Sequence, residues 1–340
     1  MTARHSTPPA TRQPTSSGYP LLTVRDLAIH FGSPHRPIRA VDGVDFDIRE
    51  GETVALVGES GCGKSVTAMA LARLLPEPAA RYVGGRIRYR SMDVLAMAAK
   101  PLRALRGGEI AYIFQEPSNA LNPVFRIGYQ IAEALRQHQP NADPRVETAA
   151  LLRMVGLTDT ERTARAYPHE LSGGMQQRAM IALALAGHPR LLVADEPTTA
   201  LDVTIQAQIL ELLQKLQRDL GMAILLITHN LGLVAGVAHR VNVMYAGRIV
   251  EAGPTANILT TPHHPYTRGL LAAVPQLTGS ADRLTGISGV VPPPDRLPAG
   301  CRFHPRCPLA RTPCRDAEPD EETTGPQRTV RCHFWQEVSA

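Results

Sequence analysis

The chain has 340 residues, of which 44% are hydrophobic, and a formal net charge of +5. This composition predicts a globular protein with one large or two modest domains around a conventional core. Lysine and arginine are scattered and few aromatic residues accompany them, which argues against nucleic-acid binding. No apolar run reaches the roughly 18 residues that span a bilayer, so we expect membrane contact only through a partner.

Residues 1–20 contain Pro, Ser, Thr and Arg but no apolar segment, which predicts a disordered tail. Downstream, short apolar runs bounded by polar or glycine residues are typical of parallel strands buried on both faces. They are TVALV at 53–57, IAYIF at 110–114, LLVA at 191–194 and AILLIT at 223–228. Each is followed at once by a polar group that can act on a nucleotide. Because ligands bind beyond the carboxyl ends of such strands, these groups should meet at one edge.

The first strand leads into the glycine loop GESGCGKS and a predicted helix, SVTAMALARLL. In this G-x-x-x-x-G-K-S pattern, backbone N–H groups suit a β-phosphate, Lys64 suits β and γ oxygens, and the Ser65 hydroxyl suits Mg²⁺. The alternative is a glycine turn without a ligand. The candidate nucleotide-binding residues are Gly58, Glu59, Ser60, Gly61, Cys62, Gly63, Lys64, Ser65 and Val66.

The other strands end in candidate catalytic groups. Asp195 is the expected Mg²⁺ partner, through water, and Glu196 the general base; the alternative is an exposed acidic turn. His229 can reach the γ-phosphate and the attacking water, although a lone histidine is more often structural. Gln115 can touch both Mg²⁺ and that water, or be an ordinary loop residue. With Ser65 and Lys64 these residues complete the predicted hydrolytic set.

A second glycine-rich helix start occurs in LSGGMQQR at 171–178. Ser172, Gly173 and Gly174 precede a run of good helix formers, so their N–H groups and the Ser hydroxyl form an anion-binding site, to which we add Gln176. The phosphates of a nucleotide bound by this chain are already enclosed by residues 58–65. The second site is therefore expected to serve a nucleotide held by another chain.

Together these motifs resemble the nucleotide-binding subunit of an ATP-binding cassette (ABC) transporter over about residues 20 to 255. The resemblance assigns GESGCGKS as Walker A, Gln115 as the Q-loop glutamine, LSGGMQQR as the signature, LLVADE as Walker B, TALD at 199–202 as the D-loop and His229 as the switch histidine. It implies an α/β P-loop NTPase (RecA-like) core with a mixed sheet. It also implies ATP and Mg²⁺ as cofactors and a head-to-tail dimer that sandwiches two ATP molecules.

Phe31 in LAIHFG matches the aromatic position that stacks on adenine in that family, although an isolated phenylalanine is more often core. The resemblance assigns residues 21–116 and 171–258 to the cassette core. Residues 117–170 carry helix-period patterns and form the expected helical subdomain, which contacts the permease in the family. We expect the loop QEPSNALNPVF to form much of that contact through Leu121 and Phe125.

The remaining residues, 259–340, form the expected C-terminal extension. The stretches NALNP, HHPYTRGLL, GISGVVPPP and GCRFHPRCP resemble the dipeptide and oligopeptide permease ATPases. This implies an ATP-hydrolysing subunit for peptide import, with importers of nickel chelates or other solutes as the alternative. The implied partners are a second, paralogous ATP-binding subunit, two transmembrane permease subunits and an extracytoplasmic peptide-binding protein. The implied location is the cytoplasmic face of the inner membrane.

The extension also holds Cys301, Cys307, Cys314 and Cys332 with C-x5-C-x6-C-x17-C spacing. Free buried thiols, disulfides and a metal site compete; disulfides are disfavoured in a reducing compartment. Some members of the resembling family carry a four-iron cluster here, so the resemblance implies a 4Fe-4S cluster, with structural zinc second. The expected role is to hold the tail in shape.

Other classes of protein fit less well. Soluble cassette proteins of DNA repair or translation usually carry long coiled coils or two cassettes, whereas this chain has one Walker A, one signature and no sustained heptads. A GTPase would need an N-K-x-D motif, which does not occur. A pure iron–sulfur sensor would leave the hydrolytic set unexplained.

Overall fold

A computed structural model describes residues 20–199, 201–274 and 286–338. The predicted disordered tail, apart from Pro20, lies outside the described residues. The strands are β1 (Leu22–Ser33), β2 (Arg36–Ile48), β3 (Thr53–Val57), β4 (Ala80–Tyr89), β5 (Met92–Asp93), β6 (Ile110–Ile113), β7 (Leu191–Asp195), β8 (Ala223–Thr228), β9 (Arg240–Tyr245), β10 (Arg248–Pro254), β11 (Glu322–Gly325) and β12 (Arg328–Val330).

The helices follow the same order. They are α1 (Lys64–Ala70), α2 (Ala99–Gly108), α3 (Pro117–Ala120), α4 (Ile127–His138), α5 (Pro144–Met154), α6 (Thr160–Arg165), α7 (Gly173–Leu185), α8 (Val203–Leu220), α9 (Thr255–Thr260), α10 (Pro265–Ala272), α11 (Thr312–Asp316) and α12 (Trp335–Val338). Short 3₁₀ turns span Pro168–Glu170, Leu231–Val234 and His304–Arg306. Across the described ranges, no helix is both long and apolar enough to cross a membrane.

The strands form an antiparallel sheet, in the order β2-β1-β4-β5, and a larger mixed sheet. The larger sheet has the order β11-β12-β10-β9-β3-β8-β7-β6, and its pairs from β9 to β6 are parallel. The predicted strands are therefore confirmed as the neighbours β3, β8, β7 and β6. This arrangement confirms the P-loop NTPase fold, and it brings the carboxyl ends of those strands to one edge.

Three hydrophobic clusters hold these layers together. The first joins the antiparallel sheet to β3 and α1, and the second packs the helices from α4 to α8 against the parallel strands. The third lies between β9, β10 and the C-terminal segment, where Tyr245, Tyr266 and Phe303 are almost fully buried. The C-terminal segment is therefore packed against the cassette, and its strands β12 and β11 extend the same sheet.

The helix predicted after the glycine loop ends earlier than the sequence indicates. The pattern SVTAMALARLL extends to Leu75, whereas α1 ends at Ala70 and Arg73 has a left-handed φ of 51°. The guanidinium of Arg106, from α2, donates to the carbonyls of Ala72 and Arg73 at 2.9 and 2.5 Å. Those carbonyls are satisfied by a distant side chain, so the chain can turn instead of continuing the helix.

The loop QEPSNALNPVF also differs from expectation in one residue. Leu121 is only 2% exposed and belongs to the second hydrophobic cluster, so the prediction that it contacts a permease is wrong. Phe125 is 42% exposed, Val124 is 69% exposed and Tyr129, on α4, is 48% exposed. The rings of Phe125 and Tyr129 pack together at 5.0 Å. The accessible apolar surface of this segment is therefore made by these three residues.

Candidate functional site

The glycine loop connects β3 to α1 and is pressed against neighbouring backbone. A Cβ added at Gly58 would lie 2.2 Å from the Met244 carbonyl oxygen, and one at Gly63 would lie 2.4 Å from the Ala40 oxygen. Gly63 also has a φ of 108°, which strains any other residue. Glycine is therefore required at these two positions for steric reasons, because the backbone at Met244 and Ala40 packs tightly against the loop.

Lys64 starts α1 and its side chain turns back over the loop. Its Nζ donates to the carbonyl oxygens of Gly58 and Glu59 at 2.8 and 2.9 Å, and lies 3.8 Å from Cys62 Sγ. The residue is only 5% exposed. Burial raises the pKa of the Cys62 thiol, although the nearby Lys64 opposes this, so the thiol stays neutral. Lys64 thus places a positive charge inside the loop at the start of the helix.

Asp195, at the end of β7, lies beside this loop. Burial raises the pKa of its carboxyl, as does Glu196, while a hydrogen bond from Ser65 and the charge of Lys64 lower it. In the described part of the chain, its buried Oδ1 has no hydrogen-bond partner. A buried carboxylate oxygen without a donor is costly unless a cation completes it. The Asp195 and Ser65 oxygens therefore fit the hard ligand set that Mg²⁺ prefers.

Glu196 is the centre of a small polar cluster. Its Oε2 lies 3.3 Å from Gln115 Nε2 and 3.1 Å from His229 Nδ1. The same oxygen accepts a hydrogen bond from Thr199 Oγ1 at 2.8 Å. The Glu196 backbone has a left-handed φ of 47°, an uncommon conformation for a residue with a Cβ. Residues from the ends of β6, β7 and β8 thus converge on one carboxylate.

Sequence reasoning missed Thr199. The only signal for it is a hydroxyl three residues after the predicted base, a spacing at which Ser and Thr side chains bond to the preceding turn. The predicted D-loop, TALD, begins with this residue, and its Ala200 lies outside the described residues.

The second glycine-rich helix start forms as predicted. Ser172 is the N-cap of α7, and its Oγ accepts the Met175 N–H at 3.4 Å. Gly173 and Gly174 open the helix, and a Cβ on Gly174 would lie 3.2 Å from Ile205. The Gln176 side chain is bonded to the segment before α7: its Nε2 donates to the Pro168 and Leu171 carbonyls at 2.9 and 3.1 Å.

Phe31 lies near the end of β1, opposite Ile38 on β2 and Ala80 on β4. It is partly buried and packs against the first hydrophobic cluster. The ring is thus fixed on one side by core packing while it keeps some exposure, which allows both the core role and the stacking role considered above.

The cysteines of the extension are all free and line one small cavity, together with Phe303. Burial, supplemented by the neighbouring thiols, raises the pKa of Cys301 to about 11 and that of Cys332 to about 12. Within residues 20–199, 201–274 and 286–338, no three His, Cys, Asp or Glu side chains are grouped closely enough to hold one metal ion.

Comparison with known proteins agrees with this geometry. Residues 41–199 match the family described as "ABC transporter", and residues 250–314 match "Oligopeptide/dipeptide transporter, C-terminal region". The oligopeptide transport ATP-binding protein AppD of Bacillus subtilis is 48% identical over 322 residues, which cover 94% of this chain and 98% of AppD. The chain belongs to the ABC transporter ATP-binding proteins of the oligopeptide and dipeptide family.

Further relatives of this ABC ATPase support the assignment. The dipeptide transport ATP-binding protein DppD of Haemophilus influenzae is 46% identical and covers 92% of the chain and 95% of DppD. The ATP-binding cassette MJ0796, solved as a dimer with ADP and Pi, superposes with a TM-score of 0.61 at 27% identity over 69% of this chain and 98% of MJ0796. CbiO1 of Clostridium perfringens gives the same TM-score and identity, over 70% of this chain and 90% of CbiO1. As a member of this family the chain is an ATP hydrolase that uses ATP with Mg²⁺.

Proposed function

We propose that this ABC ATPase powers the import of dipeptides or oligopeptides through a membrane permease. One observation carries the substrate class: the likeness to AppD and DppD runs through the C-terminal extension, where residues 250–314 match the oligopeptide and dipeptide transporter region. A generic cassette would account for residues 41–199 alone. The substrate class therefore rests on the extension, and ATP hydrolysis rests on the cassette.

We assign the roles in ATP hydrolysis from the geometry of the strand ends. Lys64 and the N–H groups of its loop bind the β and γ phosphates, because the ammonium is held over the loop where those phosphates would lie. Asp195 and Ser65 would hold Mg²⁺, joined by Gln115. When bound, Mg²⁺ neutralises the charge that develops on the phosphate oxygens.

Glu196 is the proposed general base, since its carboxylate is oriented from three sides and ends at the same sheet edge. His229 and Gln115 hold that carboxylate and the attacking water in line with the γ-phosphate. Phe31 supplies the stacking surface for adenine.

The site is completed by a second chain. Ser172, Gly173 and Gly174 form a capped helix start with free N–H groups, which suits a γ-phosphate bound by the Walker A loop of the partner. The dimeric form of MJ0796 supports this arrangement. We propose a paralogous partner, so that closure on ATP and reopening after hydrolysis drive the permease.

The helical subdomain, residues 117–170, is the proposed contact with two transmembrane permease subunits at the cytoplasmic face of the inner membrane. Val124, Phe125 and Tyr129 present the apolar surface for it. An extracytoplasmic peptide-binding protein would deliver the substrate to the permease. The match of residues 250–314 to the peptide-transporter region supports this set of partners.

We further propose that the cysteines at the cavity beside Phe303 hold a 4Fe-4S cluster. They line one cavity, and four cysteine thiolates are the ligand set that a 4Fe-4S cluster takes. Their raised pKa values mean that binding must displace protons. The proposed role of this cysteine site is to hold the extension in shape. A Cys314→Ser protein that kept full iron and sulfide would contradict this.

The test is ATP hydrolysis by the chain assembled with its permease and binding protein in lipid, with dipeptides, oligopeptides or nickel chelates added in turn. Stimulation by peptides supports the proposal, and stimulation by nickel chelates alone replaces the substrate class. Glu196→Gln in the same assembly should bind ATP but hydrolyse it about 100-fold more slowly. Unchanged turnover in that variant would remove Glu196 from the role of base.

A further inference from the structure

Glu59 is an acidic residue inside the loop that we assign to phosphate binding. Lys64 Nζ donates to its carbonyl oxygen at 2.9 Å, so Glu59 belongs to the same small loop as the ammonium. A free carboxylate here would repel the phosphates of ATP, because like charges in a partly buried site are poorly screened. An anion-binding loop with an acid in it therefore needs a group that compensates this charge.

That group comes from the C-terminal extension. Arg306, one residue before Cys307, makes a two-point ion pair with the Glu59 carboxylate, with Nη1–Oε2 at 2.6 Å and Nη2–Oε1 at 3.0 Å. The Arg306 side chain is only 4% exposed, and its Nε donates to the Ser288 carbonyl at 2.8 Å. A guanidinium fixed in this way holds a carboxylate in one orientation.

The backbone of Glu59 is held by the same segment. Its N–H donates to the Tyr266 hydroxyl at 2.8 Å. Tyr266 is fully buried and packs edge-on against Tyr245 at 4.6 Å and against Phe303 at 5.4 Å. The extension therefore forms hydrogen bonds with both the main chain and the side chain of Glu59.

We propose that Arg306 is a positioning residue for ATP binding, which draws the Glu59 carboxylate toward the extension and cancels its charge. This rests on the proposed role of Gly58–Ser65 in binding phosphate. Tyr266 fixes the backbone at the same point. The extension thereby acts directly on the nucleotide site, in addition to any part it plays in transport.

The experiment measures the Kd of the full-length chain for fluorescent ATP and ADP analogues in Mg²⁺. Arg306→Gln should weaken ATP binding about tenfold, the effect of losing one charge-assisted contact. ADP should lose less, because it carries less negative charge near the freed carboxylate. Adding Glu59→Gln to Arg306→Gln should recover most of the lost ATP affinity. Arg306→Lys should lie between, since it keeps the charge without the two-point geometry.

The matched control is Arg311→Gln, which removes an exposed ion pair with Glu337 in the same extension and should leave both Kd values unchanged. Equal losses for ATP and ADP, or a double variant as weak as Arg306→Gln, would mean that Arg306 only supports the fold and would overturn the proposal. If Arg306→Gln does not fold, Arg306→Lys with and without Glu59→Gln makes the same comparison.

A further variant distinguishes failure of the phosphate-binding assignment of residues 58–65 from failure of the Arg306 proposal. Lys64→Ala should abolish ATP binding if residues 58–65 bind phosphate. A Lys64→Ala protein with wild-type affinity would remove that assignment and the role of Arg306 with it. Loss in Lys64→Ala together with no change in Arg306→Gln would overturn the Arg306 proposal alone.

Discussion

Two arginines of the extension make ion pairs, one buried and one exposed to solvent. Replacing each arginine by methionine should lower the free energy of unfolding by very different amounts. Arg328 is 7% exposed and its Nη2 lies 3.0 Å from Glu251 Oε1, whose side chain is fully buried. Arg311 pairs with Glu337, and their side chains are 50% and 47% exposed. The two substitutions remove the same charge from the same part of the protein.

The magnitudes follow from what each substitution leaves behind. Without Arg328, the partners of the buried Glu251 carboxylate among the described residues are the N–H donors of His263 and His264, at 2.8 and 3.0 Å. Breaking a buried pair from one side costs about 3 to 5 kcal/mol, and these remaining donors place Arg328→Met near the lower value. Arg311→Met should cost about 1 kcal/mol or less, since its carboxylate partner returns to water.

The assay is urea unfolding followed by fluorescence. The chain has a single tryptophan, Trp335, which packs on His263 at 4.8 Å and therefore reports on the extension. Arg328→Met should lower the urea midpoint strongly, and Arg311→Met should barely move it. Adding Glu251→Gln to Arg328→Met should restore part of the loss, because no buried charge is then unpaired. Equal midpoint shifts for the two single variants would refute the reasoning.

Three further predictions concern other parts of the molecule. Thr199→Val removes a hydrogen bond to the proposed base and should lower kcat about tenfold with little change in the KM for ATP, measured by phosphate release; an unchanged kcat would contradict it. Burial lowers the pKa of His264 to about 3, whereas the unfolded chain binds that proton near pH 6.5. The free energy of unfolding should therefore fall as pH decreases below about 6.5, by up to about 1.4 kcal/mol per unit, and His264→Asn should show a shallower slope in urea titrations. Val124→Asp or Phe125→Asp should block co-purification with the permease while the isolated chain still binds ATP, and normal assembly would exclude this surface.

Short-range sequence patterns were enough to predict the strands of the parallel sheet and where they end. β3, β7 and β8 coincide closely with the predicted runs, because a parallel strand covered on both faces has to be continuously apolar. The glycine loop and the capped start of α7 were likewise readable, since their chemistry depends on residues within one turn of each other. The meeting of Gln115, Glu196 and His229 follows once those strands are parallel neighbours.

Local patterns failed where a distant residue decides the outcome. α1 looks longer in the sequence because nothing near it indicates that Arg106 satisfies the carbonyls after Ala70. Leu121 looks like a surface residue because its loop is polar, yet the helices of the second cluster enclose it.

The sequence by itself was enough to predict the fold and to single out the candidate hydrolytic residues, since burial of strands and binding of phosphate both require particular residue types at fixed local spacing. The tertiary structure alone decided that the extension contacts the glycine loop. Glu59 and Arg306 are 247 residues apart, and no periodicity links them. The packing of Tyr266 and Phe303 against Tyr245 brings that arginine to the loop, where its guanidinium forms a two-point ion pair with the partly buried Glu59 carboxylate.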